Sequence, residues 1–80
     1  MTIEYSKQAV KDISRLDSIT KVRIKKGIEG IPKGDIKKLR GHNELYRLRV
    51  GFWRILFTYP NNKTVLIEEI SPRGEAYKGV

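Results

Sequence analysis

The stretch Leu45-Tyr46-Arg47-Leu48-Arg49-Val50-Gly51-Phe52-Trp53-Arg54-Ile55-Leu56-Phe57-Thr58-Tyr59 decides the fold. Its period is two, the spacing at which neighbouring side chains of a strand project to opposite faces. Residues 45–50 therefore read as a strand, with Tyr46, Leu48 and Val50 on one face and Arg47 and Arg49 on the other. Gly51 reads as a turn and residues 52–59 as a second strand. If Trp53, Ile55 and Phe57 face a core, Arg54 joins Arg47 and Arg49 on the opposite face. Pro60-Asn61-Asn62 reads as the next turn and residues 63–70 as a third strand. Three consecutive strands with short connections make an antiparallel meander.

Toward the N-terminus the period changes. Gly30, Pro32 and Gly34 open a loop that runs on through residues 35–41. Before it, residues 19–29 read as a helix that Asp17-Ser18 can cap. Its apolar positions are Ile19, Val22 and Ile28, with Ile24 off to the side and Lys21, Arg23, Lys25 and Lys26 on its other faces. Ser6 can cap an earlier helix whose Ala9, Val10, Ile13 and Leu16 recur at helical spacing. Thr2 to Tyr5 reads as a short first strand. Helices first and meander after predict an α+β fold, with two N-terminal helices packed on one face of a small antiparallel β-sheet. The other face is left for function.

That face is basic. Arg47 and Arg49 stand about 7 Å apart along their strand, and Arg54 lies on the next. Arginine offers a rigid fork of donors suited to phosphate oxygens. The whole chain carries seventeen Lys and Arg against nine Asp and Glu, a formal charge of +8. These charges are spread along the sequence, with no separate basic tail. A folded anion-binding surface follows, attractive to phosphate backbones, RNA above all, and to an acidic protein partner.

Eighty residues predict one domain, 1–80. A chain of this length buries about 60% of its unfolded surface, so its margin of stability is thin. It has no cysteine, so neither disulfide nor thiolate metal site is available. No signal peptide, long apolar stretch or lipidation motif is visible, which predicts a cytoplasmic protein without a membrane partner. Asn62-Lys63-Thr64 fits a glycosylation sequon by chance on that reading. No metal-ligand cluster, P-loop or dinucleotide fingerprint is present, so no metal or cofactor is expected. His42 and Glu44 sit close together in a loop and carry little weight as an acid–base pair. Lys25-Lys26 and Lys37-Lys38 suit backbone contact or solvation rather than catalysis, and with Arg40 are the candidate RNA-binding residues. After the last strand, Ser71-Pro72-Arg73-Gly74-Glu75-Ala76-Tyr77-Lys78 can bring Arg73 and Tyr77 to the edge of the basic face.

Taken in order, Gly34-Asp35-Ile36-Lys37-Lys38-Leu39-Arg40-Gly41, Leu45 to Gly51, Trp53-Arg54-Ile55-Leu56-Phe57, Ile70 and Arg73-Gly74-Glu75-Ala76-Tyr77 resemble the RelE/ParE superfamily of type II toxin–antitoxin toxins, and its RelE branch in particular. The resemblance runs across nearly the whole chain. It implies a ribosome-dependent endoribonuclease that cuts mRNA in the ribosomal A site and stops translation. The ribose 2′-hydroxyl would attack the adjacent phosphate, giving a cyclic phosphate and a 5′-hydroxyl. The implied catalytic set is Arg47, Arg49, Arg54, Arg73 and Tyr77. Arg49 and Arg54 would stabilise the phosphorane, Arg73 the leaving oxygen, and Tyr77 would stack on or orient the base. The implied partners are the ribosome with mRNA in its A site and a cognate acidic antitoxin. Positions 47 and 49 are often lysine in the family, and Gly74 is often basic. Arginine cannot act as a base, so orientation and electrostatic stabilisation would carry more of the rate, with Tyr77 or ribosomal RNA assisting the proton transfer. Two other readings compete. One is a ParE-like gyrase inhibitor that cuts no RNA; the other is an RNA-binding module without catalysis.

Overall fold

The computed structural model describes residues 1–39, 41 and 44–72. Seven elements follow in order: β1 (Thr2–Tyr5), α1 (Lys7–Ser14), α2 (Ser18–Glu29), β2 (Asp35–Lys38), β3 (Tyr46–Val50), β4 (Trp53–Asn61) and β5 (Thr64–Pro72). The strands form one sheet in the order β1-β5-β4-β3-β2. β2 to β5 are antiparallel neighbours, and β1 joins β5 in parallel. The fold is α+β, two helices on one face of a mostly antiparallel sheet.

Both helices start where side-chain caps satisfy free backbone donors. The Ser6 hydroxyl accepts from the Ala9 N–H at 3.0 Å and donates to the Glu68 carbonyl at 2.7 Å, so the cap of α1 also pins it to β5. Asp17 Oδ1 accepts from the Thr20 N–H at 2.7 Å at the start of α2. Asp12 of α1 adds a second tie, its Oδ2 accepting from the Ile70 N–H at 2.9 Å. The core lies between helices and sheet: Ala9, Ile24, Ile28, Ile31, Leu48, Ile55, Phe57, Val65, Ile67 and Ile70. Tyr46 and Tyr59 flank Phe57, with ring centroids 5.6 and 5.5 Å from it.

Helix α2 lies in an orientation different from the one its apolar residues suggest. Ile24 is fully buried with Ile28, whereas Ile19 and Val22 are 72% and 59% exposed. Gly27 accounts for the difference. A β-carbon there would stand 2.7 Å from Val50 Cγ2, so the missing side chain lets the helix settle directly onto β3. The buried seam is Ile24-Gly27-Ile28, with Ile31 just beyond the helix. Val10 of α1, read as part of its apolar face, is likewise exposed.

Two further differences concern the sheet. Residues 35–38, read as loop, form the edge strand β2, because Ile36 pairs with Leu48 and shares its face. The turn after β4 falls at Asn62-Lys63, so Pro60 and Asn61 belong to the strand, and β5 continues to Pro72. The β3–β4 hairpin closes through Gly51-Phe52, with Val50 opposite Trp53. Gly51 has φ +58°, the left-handed conformation that a two-residue hairpin loop requires at this position and glycine adopts freely.

Candidate nucleic-acid interface

The open face of the sheet is organised in rows that run across the strands. Asp35 pairs with Arg49, Arg49 with Arg54, and Arg54 with Ser71. The adjacent row is Lys37, Arg47, Leu56 and Glu69. Alternation puts these residues on the face away from Leu48 and Ile55, which are buried under the helices. Arg47, Arg49 and Arg54 thus share one face. Arg49 and Arg54 are direct cross-strand partners, whose β-carbons in such pairs lie about 5 Å apart. Both are half-buried. Like charges opposite one another are unfavourable in a sheet, so an anion lying over both guanidiniums gains from each.

Arg47 differs from its neighbours. It is 6% exposed. Its Nη1 donates to the Asp35 carbonyl and to Asp35 Oδ1, both at 3.2 Å. Asp35 itself remains open to solvent, its side chain 60% exposed. The carboxylate therefore lies in the basic face, diagonal to Arg47 and directly across from Arg49. The sequence reading attached no role to Asp35. Its signal was the alternation Asp35-Ile36-Lys37, too short to mark a strand by itself.

The candidate RNA-binding lysines divide between the two sides. Lys37 pairs with Arg47 and shares its face. Lys38 lies on the helix side, its Nζ 6.0 Å from the centroid of the Tyr46 ring. Lys25 and Lys26 are exposed on α2, also across the sheet from the arginines, and Lys25 borders a pocket with Tyr5, Val10 and Ile13. Arg40, His42, Arg73 and Tyr77 fall outside the described residues. Two tyrosines on the helix side are poor proton acceptors. Burial, then Glu29, raises the pKa of Tyr5, and burial, then Tyr46, raises that of Tyr59. Among the described residues no group of three or more His, Cys, Asp or Glu could hold a metal ion, and no helix is long and apolar enough to cross a membrane.

The comparisons with known proteins agree on one family. The family model described as ParE toxin of type II toxin–antitoxin system, parDE, matches residues 3–77. RelE1 of Methanocaldococcus jannaschii is 34% identical over 84 residues, covering 95% of this chain and 93% of that protein. Toxin RelE3 of the same organism is 32% identical over 85 residues, with 96% of each chain covered. Among solved structures, the RelB–RelE antitoxin–toxin complex from Methanococcus jannaschii matches with a TM-score of 0.77 at 30% identity, over 95% of this chain and 96% of that one. The archaeal RelE–RelB complex from Pyrococcus horikoshii OT3 matches with a TM-score of 0.68 at 28% identity, over 91% and 94%.

Proposed function

Because this chain belongs to the RelE/ParE family of type II toxin–antitoxin toxins, we propose that it acts as a single toxin domain over residues 1–80 and cleaves mRNA in the ribosomal A site, arresting translation in the cytoplasm. The observation that carries this reading is the cross-strand pair Arg49–Arg54 on the open sheet face. Two planar guanidiniums at that spacing can grip one phosphate, and in phosphoryl chemistry positioning and charge stabilisation supply most of the rate. The 2′-hydroxyl of the preceding ribose attacks the phosphorus. Arg49 and Arg54 stabilise the phosphorane as charge builds on its oxygens, and a 2′,3′-cyclic phosphate and a 5′-hydroxyl result. Arg47, tied down by Asp35, braces this face and adds to its field. Lys37 extends the basic surface along the strand, and Arg73 and Tyr77 complete the set at the leaving oxygen and the base.

The neighbouring solved structures are toxins held by antitoxins. We infer an acidic antitoxin here too, covering the arginine face or displacing the C-terminal segment, since complementary charge steers and fixes such a complex.

The test uses ribosomes stalled on a defined mRNA with an empty A site, with 5′ ends mapped by primer extension. Cleavage within the A-site codon, absent on free mRNA and lost in Arg54→Ala, supports the nuclease. A gyrase-directed activity is the second reading, favoured by the parDE description of the matching family model. It predicts inhibition of gyrase supercoiling and intact mRNA on the same ribosomes.

A further inference from the structure

The basic face as described has charge to hold a phosphate but lacks a proton acceptor in its arginines. Lys37, Arg47, Arg49 and Arg54 line it, and arginine does not give up its proton in a protein. The 2′-hydroxyl must nevertheless lose a proton as its oxygen bonds to phosphorus. Among the described residues two carboxylates are built into these rows, Asp35 and Glu69, and Asp35 is the one that shares a row with Arg49 and Arg54. Asp35 faces Arg49 across the strand pair, and Arg49 faces Arg54. Adjacent strands are about 4.8 Å apart, so carboxylate, first guanidinium and second guanidinium follow one another in a line about 10 Å long. With the RNA strand running so that its 5′ side lies toward β2, a phosphate over Arg49 and Arg54 places its 5′-adjacent ribose beside Asp35.

We propose that Asp35 is the proton acceptor of the cleavage step, an assignment that rests on the nuclease reading above. Arg47 aims the carboxylate: its Nη1 holds Oδ1 at 3.2 Å, and Oδ2 is presented to the substrate from a side chain 60% exposed. In the step, the 2′ O–H bond breaks and its proton passes to Oδ2. The O2′–P bond forms. The P–O5′ bond breaks, its electron pair leaving on the 5′ oxygen, which takes a proton from water. The hydroxide so produced recovers the proton from Asp35, and the site is restored. Among the described residues the charged groups facing Asp35 are Arg47 and Arg49 from β3, the strand paired with β2, and Lys37 on its own strand. The other described carboxylates near the face are less well placed. Glu68 is engaged by the Thr58 hydroxyl at 3.3 Å. Glu69 lies opposite Leu56, at the end of the other row, beside a pocket shared with Asp12 and Arg15.

The experiment is single-turnover cleavage on A-site-programmed ribosomes across a pH series, with wild type, Asp35→Asn and Asp35→Glu, each checked for folding by circular dichroism. Asparagine keeps an oxygen for Arg47 and removes the base. Asp35→Asn is expected to slow cleavage by about 10²- to 10⁴-fold and to erase the acid limb of the pH–rate profile. Asp35→Glu is expected to restore part of the rate together with the limb. Wild-type rates in Asp35→Asn overturn the assignment. So does a slowed variant that keeps the acid limb, since Asp35 then merely positions Arg47. Cleavage absent from the wild type overturns the nuclease reading itself, and the acceptor with it. These outcomes separate the failure of one proposal from that of the other.

Discussion

The two faces of this sheet are made by the same strands and obey opposite rules. On the helix side Leu48, Ile55 and Phe57 interlock with Ile24 and Ile28, all of them at or near zero exposure. On the open side their immediate neighbours Arg47, Arg49 and Arg54 are set against one another in rows. One face gains free energy by excluding water. The other holds like charges together and gains when an anion arrives. On the proposed function, stability and chemistry are divided between alternate residues of β3 and β4, and substitutions one position apart should have different consequences.

The sharpest contrast is Phe57→Ala against Arg54→Ala. Phe57 is fully buried between two tyrosine rings. Its truncation should cost about 3–5 kcal/mol, a large share of the roughly 5–15 kcal/mol that domains possess. A urea titration should show a midpoint far below that of wild type. Arg54→Ala should leave the circular dichroism spectrum native while A-site cleavage falls by about 10²- to 10³-fold, the loss typical of one removed charge-stabilising donor. Similar melting of both variants would refute the division between faces.

The next contrast lies within α2, between its seam and its outer surface. Gly27→Val pushes a branched side chain into Val50, whose Cγ2 already stands 2.7 Å from the place of the missing β-carbon. Overpacking of this kind costs about 1–3 kcal/mol and should lower the urea midpoint without abolishing folding. Val22→Lys, on the exposed side of the same helix, should change stability by no more than about 0.5 kcal/mol.

That contrast also explains what the sequence could disclose. The meander was legible because alternation persists through Tyr46 to Phe57, long enough for period two to stand out. Ser6 and Asp17 were legible because a cap is a local event. The orientation of α2 was not, because counting apolar residues gives weight to Ile19 and Val22 and none to Gly27, whose contribution is a close approach to β3. β2 was missed for a related reason: an edge strand with Ile36 as its one apolar residue has too little hydrophobic pattern to announce itself. With β2 hidden, the pairing of Asp35 with Arg49 and the division of Lys37 from Lys38 were hidden too. Shared membership of the arginines in one face follows from periodicity; the burial of Arg47 depends on a carboxylate twelve positions away in the chain.

The smallest effect expected is at the start of α2. Hydrogen bonds from the Thr20 hydroxyl, and then from its backbone N–H, hold the Asp17 carboxyl below its ordinary pKa. A carboxyl whose pKa is lower in the folded state stabilises the fold above its unfolded pKa, and that contribution disappears as pH falls through the folded value. Asp17→Asn keeps a good capping side chain but cannot titrate. Wild type should therefore have a slightly higher urea midpoint than Asp17→Asn at neutral pH, and the gap should close as the solution is acidified below the carboxylate range. Asp17→Ala, which loses the cap itself, should stay below both even in acid. A gap between wild type and Asp17→Asn that persists at low pH would mean that the aspartate acts through shape and hydrogen bonding alone. The start of α2 would then follow the same rule as its seam, where geometry rather than charge sets stability, and electrostatic function would be confined to the arginine face.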